Sequence, residues 1–261
     1  MSASPVSIER QGRIAVIRFD TGDGKNALSR RIMSDLTAAA RSFEDDTETS
    51  AIVLAGAAAV FTLGFDLREA PLEGIGLAER RRLQSLGPRL CRAWEELEPM
   101  TFGAIEGWCV GGGVALAAAL DLRIAGDGAR FYVPEIERGM NMSWQSVPRL
   151  VALMGPARTK RLTVMAERID AERARAWGLV DEVAPAGGAF AAAMAMAERV
   201  AALPPVQVRM CKEGVNAAST ALHHAVSFMD RDQYALAAQS EDYREGVRAF
   251  LEKRPPRYSG R

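Results

Sequence analysis

The stretch FGAIEGWCVGGGVALAAALDLRIAGDGARFYVPE, from Phe102 to Glu135, constrains the chain more than any other. An apolar run, Phe102–Ile105, precedes Gly111, Gly112 and Gly113, and an Ala-rich segment with helical spacing, Val114–Leu120, follows them. The order reads as strand, glycine junction and helix, and Glu135 later brings a carboxylate back to that junction. Amides in the first turn of a helix lack intrahelical acceptors and sit at the positive end of its dipole, so they suit an anion or a polarised carbonyl oxygen. Glycine also lets a ligand approach the main chain closely. Three glycines equally suit tight packing of a helix on a sheet, and the local sequence leaves both readings open.

The same alternation recurs along the N-terminal half. Ile14–Asp20 reads as a strand, Leu28–Phe43 as a helix with Ser29 as its cap, Ala51–Ala55 as a short apolar strand, and Arg123–Ala125 as another after a Val110–Leu120 helix. No GxGxxG fingerprint is present, which argues against a nicotinamide-binding Rossmann enzyme. From Arg149 onward helices dominate: Gly155-Pro156 opens one, Asp170–Trp177 forms another that Gly178 stops, and Leu179–Val183 reads as a strand. Phe190–Leu203, Pro205–Asn216, Leu222–Gln239 and Glu241–Lys253 read as successive helices separated by Pro-Pro and small polar breaks. The layout is mixed α/β followed by a helical tail.

Composition narrows the function. Thirty-three basic and thirty-three acidic residues balance, so nucleic acid is not an expected partner. No segment approaches the ~18 apolar residues of a membrane span, and the start lacks the apolar run of a signal peptide; the expected location is cytoplasmic, with no membrane partner. Cys91, Cys109 and Cys211 have no paired spacing, so neither a disulfide framework nor a metal site is expected. The charges of Arg80–Arg82 read as a solvated helix face, and Met140 and Met142 as packing. The only histidines, His223 and His224, fall on a helix far along the chain from the glycines.

Several ordered motifs together resemble the crotonase family, the enoyl-CoA hydratase/isomerase superfamily, over nearly the whole length. They are Lys25-Asn26-Ala27-Leu28-Ser29, Phe61-Thr62-Leu63-Gly64-Phe65-Asp66-Leu67, Gly107-Trp108-Cys109-Val110-Gly111-Gly112-Gly113, Asp121-Leu122-Arg123-Ile124-Ala125, Phe131 through Gly139, Trp177 through Val183, and Ala249 through Arg254. The resemblance implies an α/β fold, a spiral of ββα repeats with a C-terminal helical region. It divides the chain into an acyl-CoA-binding core over residues 1–200 and a helical oligomerisation region over 201–261, supporting a homotrimer or a dimer of trimers. It implies an acyl-CoA substrate whose thioester enolate is stabilised by the backbone amides of Phe65 and Gly112, with CoA entering only as part of the substrate and no separate cofactor. Lys25, Ala27, Leu28, Leu63, Asp66, Leu67 and Gly111 are implied as CoA or acyl contacts, with Lys25 and a neighbouring chain's Lys253 as phosphate partners. Phe65, where the family commonly has Ala, still supplies its amide but narrows the site.

One departure bears on the chemistry. Hydratases of the family commonly carry two catalytic glutamates; here the first position is Ala115, and only Glu135 remains. Two groups help add water across a 2-enoyl thioester, whereas one carboxylate suffices to take a proton from one carbon and return it to another. The resemblance therefore favours double-bond isomerisation, with hydration, perhaps of an aromatic or branched enoyl-CoA, as the alternative, and a weakly catalytic CoA-binding subunit as a third reading. If the strand continues past Glu135, Glu137 points to the opposite face. Met140, Met142, Ser143 and Trp144 stand where hydratases are small and glycine-rich, and should reshape the acyl pocket. Ser143 occupies the place of the nucleophilic aspartate in a related aryl-CoA dehalogenase, but without an evident activating base.

Overall fold

The computed structural model describes residues 4–69 and 74–261. Its strands are β1 (Val6–Gln11), β2 (Ile14–Phe19), β3 (Ala51–Ala55), β4 (Val60–Thr62), β5 (Met100–Ile105), β6 (Trp108–Val110), β7 (Leu122–Gly126), β8 (Arg130–Tyr132), β9 (Ile169–Asp170) and β10 (Glu182–Ala184). The helices are α1 (Arg30–Arg41), α2 (Leu77–Gln84), α3 (Leu86–Glu95), α4 (Gly112–Ala117), α5 (Ser146–Met154), α6 (Pro156–Thr163), α7 (Ala171–Trp177), α8 (Ala189–Ala201), α9 (Pro205–Thr220), α10 (His223–Ser227), α11 (Asp230–Ala237) and α12 (Glu241–Glu252).

One sheet runs β1-β2-β3-β5-β7-β10 and a second runs β4-β6-β8-β9. Apart from the β1–β2 and β8–β9 pairs, the pairings are parallel. Central β3, AIVLA, is buried at every position, as a parallel strand covered on both faces must be. Its side chains alternate between two cores: Ile52 and Leu54 join α1, α3 and α4 on one side, while Ala51, Val53 and Ala55 meet Ala189, Ala193 and Ala197 of α8 on the other. The small residues of α8 let it lie close on the sheet. Helix α1 buries Ile32, Met33, Leu36, Ala39 and Ala40, the spacing of one helical face, and Ser29 Oγ accepts the Ile32 amide as its cap.

The Asp121-Leu122-Arg123 motif is a set of fasteners. Asp121 accepts from the Thr101 amide and hydroxyl and pairs with buried Lys212 of α9 at 2.6 Å; Arg123, 2% exposed, pairs with Asp181 at 2.7 Å. Removing one partner of such a pair strands a charge away from water, so these contacts hold α9 to the sheet and the start of β10 to β7.

Three expectations are corrected. The strand that feeds the glycines is not Phe102–Ile105 but β6, one short strand later, in the second sheet. The strand after Gly178 begins at Glu182, because the Leu179 and Val180 amides both turn back to Ala174 O and bonding to β7 starts only with Asp181 N–H on Arg123 O. The single helix expected over Leu222–Gln239 divides into α10 and α11, with α11 starting at buried Asp230, whose carboxylate holds the Gln145 amide. Among the described residues no single helix is long and apolar enough to cross a membrane.

Candidate active site

The site begins with two loops laid side by side. Buried Asn26 donates to Phe19 O and Phe61 O, Thr62 Oγ1 donates to Asn26 O, and Leu63 N–H to Lys25 O. Leu28 N–H then bonds Gly64 O at 2.8 Å, and Asp66 N–H bonds Leu28 O, which fixes Phe65 between them. Gly64, at φ +83°, is where this segment meets the glycine junction. A Cβ there would fall 2.5 Å from Val110 O and 3.4 Å from Gly112 N, so only glycine permits the approach. Among the described residues, neither the Phe65 nor the Gly112 N–H donates to a protein acceptor. Gly112 is the first residue of α4, where that lack follows from helix geometry.

Glu135 faces this junction. The chain does not continue as a strand there: Glu135 starts a 3₁₀ turn over Ile136–Arg138, because Arg138 and Met140 amides fold back onto Glu135 O. Glu137 turns away all the same, accepting from the Tyr132 hydroxyl. Glu135 Oε1 lies against Gly111, so close that a Cβ at position 111 would be 2.3 Å from it, and Gly111 itself sits at φ +52°. Oε2 is shut off from solvent without a hydrogen-bond partner, although the residue keeps a face open to the cavity. Burial pushes the carboxyl up to about 7, opposed by the residue's own backbone N–H and by the neighbouring Arg138 charge. A group titrating there can both take and give a proton near neutrality.

These groups open onto a cavity of about 580 Å³. Of the residues implied by resemblance, Glu135, Phe65, Gly111, Gly112, Leu63, Leu67, Ser143 and Trp144 line it. Leu28 does not: its side chain is fully buried in the core, and its contribution is the main-chain pairing that holds Phe65. Lys25 and Lys253 are exposed outside the cavity, Ala27 also lies outside it, and Asp66 is engaged by Arg68. Ala115 is completely buried among apolar side chains of the core. Neither histidine lines the cavity, and Ser143 Oγ has no hydrogen-bond partner among the described residues.

The segment after Glu135 supplies Met140, Met142, Ser143 and Trp144 to the cavity wall. The Trp144 indole lies flat on the Cα atoms of Gly87 and Gly112; side chains there would meet its ring at 2.2 and 2.5 Å. Trp144 and Gln145 both have positive φ, 63° and 57°, an uncommon conformation for such residues. Asp230 holds the Gln145 amide at 3.1 Å, and Arg149, itself paired with Glu95, donates to Gln145 O at 2.8 Å and Trp144 O at 3.3 Å. Sequence reasoning missed Asp230, Arg149, Gly87, Arg138 and the cavity phenols Tyr234 and Tyr243, and treated Arg80 as a solvated charge although it lines the cavity. No local spacing connects α11 or α12 to the glycine junction, so no motif marks them.

A family model described as enoyl-CoA hydratase/isomerase matches residues 9–261. A probable enoyl-CoA hydratase of Rhizobium meliloti is 32% identical over the full length of both chains. The 2,3-dehydroadipyl-CoA hydratase of Escherichia coli is 28% identical, covering 99% of this chain and 100% of that protein. The crystal structure of carnitinyl-CoA hydratase from Mycobacterium avium superposes with a TM-score of 0.87 at 29% identity over the whole of both chains.

Proposed function

The chain belongs to the enoyl-CoA hydratase/isomerase family and is an enzyme of the crotonase fold; from that premise we propose that it moves the double bond of a 3-enoyl-CoA into conjugation. Glu135 carboxylate removes a proton from C2, and the electron pair spreads onto the thioester oxygen and C4 as a dienolate. The Phe65 and Gly112 amides receive the developing oxyanion, an arrangement in which each fixed donor is typically worth about 3–4 kcal/mol. The Glu135 carboxyl then returns the proton to C4, giving the 2-enoyl thioester and the original carboxylate. The observation that carries this reading is that Glu135 stands alone: its Oε2 has no partner, its carboxyl is raised to about 7, and a buried methyl group occupies position 115.

Hydration of a 2-enoyl-CoA is the second reading, favoured by the hydratase names of relatives that match over full length. We also propose a trimer, or a pair of trimers, built through residues 201–261. Exposed Val206, Met210 and Val215 on α9 support it, and so does the position of Lys253, exposed and outside its own chain's cavity, which we assign to a neighbour's CoA.

The test is a paired assay of the protein and Glu135→Gln on 2-enoyl-CoA and 3-enoyl-CoA, following hydration and migration separately. Migration that dominates and disappears in the variant supports isomerisation. Dominant hydration that needs Glu135 replaces it with the second reading, and activity indifferent to Glu135→Gln overturns both.

A further inference from the structure

The Tyr234 hydroxyl, on the α11 wall of the cavity, is nearly orphaned. Its neighbours are the Tyr243 hydroxyl at 3.5 Å, beyond the 2.5–3.0 Å of an ordinary O–H···O bond, and Met140 Sδ, a weak acceptor, at 4.0 Å. The two rings meet edge-on, 90° apart, with their centroids 6.3 Å apart. A hydroxyl taken from water without a partner destabilises the fold unless something else bonds it. Met140 is tied by its amide to Glu135 O, which sets this hydroxyl beside the segment that carries the acid/base. Burial, the Tyr243 phenol and the Glu135 charge all hold the phenol protonated, well above its ordinary value, so it is a donor.

We propose that the Tyr234 hydroxyl donates to an oxygen atom of the substrate other than the thioester oxygen, and so selects acyl groups that bear one. That oxygen comes either from water added at C3, as a 3-hydroxyl, or from a carboxyl already at the far end of the chain. This rests on the reading of the cavity as the acyl-CoA site. It does not depend on the proton transfer assigned to Glu135.

The experiment is equilibrium binding, by titration calorimetry on the full chain, of three CoA thioesters of equal chain length: saturated, 3-hydroxylated and ω-carboxylated. The wild type should bind one oxygen-bearing thioester roughly tenfold tighter than the saturated one. Tyr234→Phe should reduce that ratio to near one, with the saturated thioester's affinity unchanged and no fall in melting temperature. The thioester whose advantage collapses identifies the source of the oxygen. Equal wild-type affinity for all three, ratios unaltered by Tyr234→Phe, or equal weakening of all three overturns the proposal. The binding ratios are read without turnover, so they stand or fall apart from the acid/base assignment, which the Glu135→Gln kinetics test separately; if no thioester binds, the acyl-CoA reading falls and takes this one with it.

Discussion

Glu135→Gln should change the pH dependence of stability as well as activity. The carboxyl is raised by burial from an ordinary 4.5 to about 7, a gap of roughly 2.5 pH units, or about 3 kcal/mol at 1.36 kcal/mol per unit. Below about pH 4.5 both native and unfolded states hold the proton, and the group costs nothing. Between about 4.5 and 7 the native state keeps a proton that the unfolded chain has released, so stability falls as pH rises; above about 7 the loss is complete and constant. Glutamine cannot ionise, so the variant lacks this decline. Any cost of burying its amide without a partner is independent of pH and drops out of the comparison. Urea denaturation of both proteins at one fixed concentration, at about pH 4 and pH 8, should therefore show the stability difference moving in favour of Glu135→Gln by up to about 3 kcal/mol. A difference that stays the same at both pH values, or moves toward the wild type, would refute a buried, unpartnered carboxyl at this position.

Gly111→Ala places a methyl carbon 2.3 Å from Glu135 Oε1 on a residue at φ +52°. It should cost about 1–3 kcal/mol in strain and, by displacing the carboxylate, lower kcat/KM at least tenfold; wild-type kinetics in the variant would show that the carboxylate does not work from this position. Ala115→Glu, which restores the glutamate common in hydratases of the family, puts a carboxyl at a fully buried apolar site. It should lower stability by about 3 kcal/mol or more without raising hydration. A folded variant with faster hydration would mean that position 115 still reaches the reacting atoms.

Much of the site was legible because its cause is local. The glycine junction at 111–113, the Ser29 cap and the apolar run of β3 are each dictated within a few residues by sterics, hydrogen bonding or continuous burial, and they appear where the sequence places them. The resemblance likewise located Glu135, Phe65 and Gly112 around one cavity. It did not anticipate that the Leu28 side chain packs in the core while its main chain holds Phe65; the local reading, for its part, missed the break in the helix before Asp230.

By itself, then, the sequence determined the alternating α/β layout and the strand-to-helix glycine junction, since each is a property of neighbouring residues, while the loss of one of two glutamates was what the resemblance implied. Only the tertiary structure decided the rest of the pocket. Asp230 holds a backbone turn 85 residues away, Trp144 rests on Gly87 and Gly112 from two different helices, and Tyr234 meets Met140 from 94 residues along the chain. No periodicity links groups so far apart; they meet because the core packs α3 with α4, while Asp230 and Arg231 tie α11 to the Gln145 amide and to Ser85.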